Sequence, residues 1–133
     1  MPKIFTSETQ KIGELGEEIA VKFLVKQGFK ILDRNYTRKW GEIDIVAEKD
    51  KKLYFIEVKS VSRENVTHET PDSYRAEDNM HPWKMKRMAR TIQTYLLHKN
   101  IDEDVEWQCD LLVVYIDLTT KEGRVEVVSD IIL

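Results

Sequence analysis

Residues 111–116 read Leu-Leu-Val-Val-Tyr-Ile, an apolar run without polar alternation. A strand with one wet face alternates, whereas a strand covered on both faces does not. The run therefore predicts a strand from Cys109 to Ile116 that is buried on both sides. Cover has to come from elsewhere in the chain, and two segments have a helical period. Ile12, Leu15, Ile19, Ala20, Phe23 and Leu24 recur at that spacing between Glu8 and Gln27. Ser7-Glu8-Thr9-Gln10 before them has the form of a capping box, and Gly28 after them is a natural helix stop. Met85, Met88, Ala89, Ile92 and Leu96 mark a second helix from Trp83 to Lys99, ended by Asn100.

Between the helices, an extended stretch begins at Phe29-Lys30-Ile31-Leu32. Ile43–Glu48 and Leu53–Val61 then form a hairpin across the polar turn Lys49-Asp50-Lys51-Lys52. Thr119–Gly123 reads as a turn and Arg124–Val128 as a last strand, so the expected order is α-β-β-β-α-β-β in the α/β class. Ser62–Pro82 is polar, aperiodic and long, which predicts a mobile or functional loop. At 133 residues with 41% hydrophobic content, the chain reads as one domain over 1–133, able to bury a core without staples. Its one cysteine, Cys109, excludes an internal disulfide framework, and no apolar run approaches the roughly 18 residues of a membrane helix. Met1–Thr6 reads as a short tail without the apolar stretch of a secretion signal, so a cytoplasmic protein with no membrane partner is expected. The net charge of −3 repels polyanions, so any nucleic-acid function needs a local basic patch or a metal ion.

The hairpin carries the chemistry. If it closes symmetrically about Asp50 and Lys51, Asp44 falls opposite Glu57 and Glu42 opposite Lys59, all four on one face. Ile43, Ile45, Ile56 and Val58 then face a core. Adjacent carboxylates repel, and a cation between them removes the cost. Oxygen ligands of this kind suit Mg2+ or Mn2+, and Lys59 beside them can hold a phosphate oxygen or orient a water. These are the parts of metal-assisted phosphodiester hydrolysis. The text Asp…Glu-x-Lys alone is weak, and a charged outer hairpin face reads the same way. Glu17, at the edge of the first helix's apolar stripe, is a candidate further ligand, and the small residues Gly13, Gly16 and Ala20 would let that helix approach closely. Lys84, Lys86, Arg87 and Arg90 crowd the start of the second helix, with Lys86, Arg90 and Gln93 on one face. They form a candidate nucleic-acid track, to which Tyr36, Trp40 and Trp83 could add stacking. His68, His81 and His98 lack metal-ligand spacing, Cys109 is expected to pack, and no nucleophile elbow, Walker loop or dinucleotide fingerprint is present.

Several blocks together resemble the YraN-like family of small bacterial proteins: Gly16-Glu17, Gly28-Phe29, Arg34-Asn35-Tyr36, Gly41-Glu42-Ile43-Asp44-Ile45-Val46-Ala47 and Phe55-Ile56-Glu57-Val58-Lys59. That family is similar to Holliday-junction resolvases and to the PD-(D/E)XK, restriction-endonuclease-like nucleases. The resemblance implies a mixed central sheet flanked by helices. It implies a metal held by Asp44 and Glu57 with Glu17 completing the site, Lys59 as catalytic lysine, and Gln93 where some members carry a helix residue near the metal. DNA is then the expected partner, with branched or repair intermediates among the substrates the resemblance implies and a homodimer as an option for cutting two strands. Ser60-Val61-Ser62-Arg63 and Gln108 depart from the family's usual residues, outside the four site positions.

Overall fold

The computed structural model describes residues 8–63, 82–131 and 133. The tail, Ser7 of the capping box, and residues 64–81 of the expected loop lie outside the described residues. Seven elements follow in the expected order: α1 (Glu8–Lys26), β1 (Lys30–Arg38), β2 (Gly41–Lys49), β3 (Lys52–Arg63), α2 (Pro82–His98), β4 (Trp107–Asp117) and β5 (Gly123–Val128). Both ends expected for the loop belong to regular structure, since β3 continues through Ser62 to Arg63 and Pro82 opens α2. Proline suits a first helical position because its missing N–H has no partner there. The helix stops behave as their residues predict. Phe29 N–H donates to the Leu24 carbonyl past Gly28, and Ile101 N–H donates to the Leu96 carbonyl past Asn100, which sits at φ 52°.

The strands form one mixed sheet in the order β1-β2-β3-β4-β5. Asp50 and Lys51 both take positive φ, as a two-residue hairpin turn needs, and the β2–β3 register runs from Lys49↔Lys52 to Ile45↔Ile56. β3 and β4 are parallel from Leu53↔Trp107 to Arg63↔Asp117, a pairing that requires a crossover, and α2 lies within it. Both faces of β4 are covered, as the apolar run demands. Leu112, Val114 and Ile116 pack with Ala20 and Leu24 of α1. Leu111, Val113 and Tyr115 pack on the other side with Met85 of α2. Among the described residues no helix is long and apolar enough to cross a membrane.

Two features were not anticipated. β1 is a nine-residue strand although Asp33-Arg34-Asn35 sits in its middle. It is an edge strand, so polar residues face water there, and a register shift between Ile31 and Asp33 absorbs the irregularity. Ile43 also does not share a core with Ile45. Ile43 packs on the α2 side with Tyr36 and Met88, while Ile45, Ile56 and Val58 pack on the α1 side.

The small residues of α1 differ in role. A Cβ on Gly16 would overlap the Ser60 side chain, its Cβ being only 2.9 Å away, whereas a Cβ on Gly13 meets nothing within 4 Å. Gly16, with buried Ala20, is therefore what lets α1 lie against β3, and Gly13 is open surface. Gly13→Ala should stabilise the protein by up to about 1 kcal/mol through helix propensity. Gly16→Ala should destabilise it by about 1–3 kcal/mol through overpacking, with partial recovery on adding Ser60→Gly. Thermal melts of the four proteins test this, and equal effects at the two glycines would refute the close approach.

Candidate metal centre

The site lies where β2 parts from β3. The ladder between them ends at Ile45↔Ile56, while β3 stays paired to β4 along its whole length. Beyond that point the β2-facing edge of β3 needs other partners. Asp44 supplies one: its Oδ2 accepts the Val58 N–H at 2.8 Å. The carboxylate is 7% exposed and touches Glu57, so the expected neighbours Asp44 and Glu57 do meet, by side-chain reach and not as a ladder pair. Burial raises the Asp44 pKa to about 8, helped by the charge and hydrogen bond of Glu57 and more weakly by Glu17, while the Val58 N–H works in the opposite direction.

An open cleft of about 920 Å³ runs along this edge, with Glu17, Arg34, Asn35, Glu42, Asp44, Lys59 and Ser60 among its walls. Lys59 is exposed. Glu42 turns toward β1, opposite Thr37, whose hydroxyl donates to it at 3.4 Å. Glu17 faces the cleft but is held by its own partners, Arg34 at 3.2 Å and Asn35 Nδ2 at 3.0 Å. Arg34 also reaches Glu18 at 2.9 Å. Burial opposes the charge on Arg34, but the two glutamates outweigh it and raise its pKa above the ordinary value. Sequence reading missed this clamp, for which the only local signal was the polar triplet inside β1.

On the other side of the sheet, a smaller cavity of about 210 Å³ is lined by Gly41, Glu42, Glu57, Lys84, Arg87 and Met88. The Lys84 ammonium is 3.8 Å from Glu57. A Cβ on Gly41 would fall 2.6 Å from Thr91 Oγ1 and 3.4 Å from the Arg87 carbonyl, so Gly41 is what lets α2 come this close. Of the expected basic track, Lys84 and Arg87 reach the acidic pair's surroundings. Lys86 and Gln93 are exposed and line neither cavity, so Gln93 is not brought to the acids. Arg87 lies over the Trp83 ring at 4.5 Å and Arg90 over the Trp40 ring at 4.1 Å. Tyr36 is core, with its hydroxyl at 3.1 Å from His98 Nδ1. Cys109 is buried, which pushes its thiol up to about 12 and leaves it unreactive.

Among the described residues no group of three or more His, Cys, Asp or Glu side chains is gathered as a metal cage. The acidic pair still fits one class of ion. Two carboxylates in contact, one of them buried and resisting ionisation, suit a small hard dication that keeps several waters, as Mg2+ does.

Comparison with known proteins adds a family. The model of an uncharacterised protein family, UPF0102, matches residues 16–129. A UPF0102 protein of Campylobacter jejuni is 42% identical over 106 residues, 80% of this chain and 85% of that protein. Another from Campylobacter fetus is 42% identical over 102 residues, 77% of this chain and 81% of its own. Among solved structures, an fdxN element excision controlling factor protein from Anabaena variabilis has a TM-score of 0.39 at 12% identity, covering 89% of this chain and 99% of that one. SfsA of Pyrococcus furiosus, in complex with Ca2+, has a TM-score of 0.36 at 19% identity, covering 91% of this chain and 62% of that one. Both are distant backbone likenesses.

The raised Asp44 pKa has a stability consequence. In metal-free buffer the folded protein holds a proton that the unfolded chain, with a pKa near 3.8, gives up, so Asp44's contribution is present at low pH and is lost as pH rises toward 8. Asp44→Asn keeps an acceptor for Val58 and removes the repulsion. It should raise the melting temperature at pH 8 in EDTA by about 4 °C, roughly 1 kcal/mol. The gap should shrink toward pH 5. A pH-independent gap, or a destabilised variant, would refute the acidic coupling.

Proposed function

This chain belongs to the uncharacterised protein family UPF0102, the YraN family, and we propose that it is a metal-dependent endonuclease that hydrolyses phosphodiester bonds in DNA. One observation carries the reading: Asp44 and Glu57 are in contact at the fork between β2 and β3, where burial makes a second negative charge costly until a cation arrives. The α-β-β-β-α-β-β order and the mixed sheet agree with the nuclease-like fold expected from the family resemblance.

Each residue has a role that follows from its position. Asp44 and Glu57 would hold Mg2+ or Mn2+, and Glu17, clamped by Arg34 and Asn35 on the cleft wall, would act on the ion's outer waters. Bound there, the ion supplies charge neutralisation at the phosphate and polarises the attacking water. The Val58 N–H fixes one Asp44 oxygen, so the carboxylate does not reorient when its charge changes. Lys59, exposed in the same cleft, is free to contact a phosphate oxygen and to orient the water for attack. Water's oxygen bonds to phosphorus, its proton leaves to solvent, and the departing sugar oxygen takes up a proton. Lys84, already beside Glu57, and Arg87 provide positive charge on the α2 side for the backbone flanking the cut.

A second reading has one observation in its favour. Glu17 is engaged by Arg34 and Asn35, which suits a nucleic-acid-binding or protein-partner module that keeps the fold without turnover. The two readings separate in one experiment. Labelled single-stranded, duplex, flapped and four-way-junction DNA is incubated with Mg2+ or Mn2+ and the wild type, Glu57→Ala or Lys59→Ala. The nuclease reading expects cleavage by the wild type and a loss of about 100-fold or more in each variant. Absence of cleavage, or equal cleavage by all three proteins, would transfer the reading to the binding module.

A further inference from the structure

Two arginine–tryptophan stacks stand side by side on α2. Trp83, in its first turn, is 57% exposed and carries the Arg87 guanidinium 4.5 Å above its ring. One turn further, Arg90 lies 4.1 Å from the ring of Trp40, which the close approach of Gly41 brings against the helix. Trp83, Arg87 and Arg90 are spaced i, i+4, i+7 and so share one side of α2. They span about 10 Å along its axis, against about 3.4 Å per nucleotide of a stacked strand. Arg87 also lines the cavity that contains Glu57, so the ridge borders the acidic pair.

We propose that this ridge is a stacking platform for unpaired bases, and that the substrate of the neighbouring site is nucleic acid with a single-stranded segment. This deepens the reading of the site as one that works on phosphodiesters, and rests on it. The chemistry discriminates against a continuous duplex. In a duplex the base faces are stacked on one another, so a protein meets only groove edges and phosphates. Flat indole and guanidinium surfaces have nothing to stack on there. A grip on phosphates alone also suits this chain poorly, because its net charge is −3. Stacking adds affinity without charge, and it ranks above an exposed guanidinium–indole contact in strength. A base arriving on Trp83 or Trp40 therefore covers or displaces the guanidinium, whose N–H groups then become available to the adjoining phosphate. The two pairs are in this way a resting arrangement that converts to base stacking plus phosphate contact.

The test is binding in EDTA, where cleavage cannot interfere. Fluorescence anisotropy compares a labelled dT strand of about a dozen nucleotides, an rU strand of the same length, an abasic strand with the same phosphates, and a duplex. The wild type should bind dT or rU about tenfold or more tightly than the abasic strand. Trp83→Ala should lose about tenfold on dT and little on the abasic strand or the duplex, while Trp83→Phe retains most of the affinity. Trp40→Ala provides an independent variant with the same expected pattern, and melting curves check that each is folded. The dT to rU ratio assigns DNA or RNA within the proposal. Equal affinity for abasic and dT strands overturns it, as does a Trp83→Ala loss that is the same on duplex. Failure to bind any of the four also overturns it and assigns the ridge to a protein partner. The nuclease reading is tested separately. Cleavage that depends on Glu57 beside unchanged strand binding in the ridge variants removes the platform alone. Base-dependent binding without cleavage removes the nuclease alone.

Discussion

The hydrogen bond from Val58 N–H to the Asp44 carboxylate is the point on which the site is built. It exists because β3 has more partners on one side than on the other. Its edge toward β4 is satisfied to Arg63, whereas its edge toward β2 loses the ladder after Ile45↔Ile56. A strand edge left open in the interior demands an acceptor, and a carboxylate oxygen is a strong one. Filling that demand buries Asp44 against Glu57, which is unfavourable for the isolated fold. The arrangement meets a backbone requirement and at the same time holds two carboxylates against each other at a buried position.

The two helices bring their candidate site residues to this fork by the same device from opposite faces. Gly16 lets α1 settle onto β3 at Ser60, which carries Glu17 into the cleft. Gly41 lets α2 settle onto the start of β2, which carries Lys84 and Arg87 to the surroundings of Glu57. A methyl group at either position would push a helix away from the sheet that positions the acids. β4 is packed on both faces, and sites carried on a packed sheet hold their geometry better than sites on loops.

Much of this was legible in the residues. The Asp50-Lys51 turn sets the hairpin register as far as Ile45↔Ile56, whereas Asp44 and Glu57 meet beyond its end through side-chain reach. The apolar run 111–116 announces a strand covered on both faces. Other parts were not legible, for definable reasons. β1 is polar because it is an edge strand, so its pattern carries no periodic signal. Ile43 and Ile45 look equivalent by alternation, yet they pack on opposite sides of the sheet. Gly13 and Gly16 are indistinguishable in a helical pattern and differ only in what lies across from them. The clamp of Arg34 and Asn35 on Glu17 joins residues 17 and 18 positions apart, which no local pattern encodes.

By itself, the order of residues determined the elements, their sequence along the chain and the closing of the β2–β3 hairpin about Asp50 and Lys51, because these depend on periodicity, turn chemistry and short-range register. Tertiary structure alone decided which cations face the acids, since that depends on how closely α2 can approach β2. It decided that Lys84 and Arg87 line the cavity by Glu57 while Lys86 and Gln93 line neither cavity. It also decided that Asp44 is buried enough to resist its own charge, because burial is a property of everything packed around a group and not of the group's neighbours in the chain.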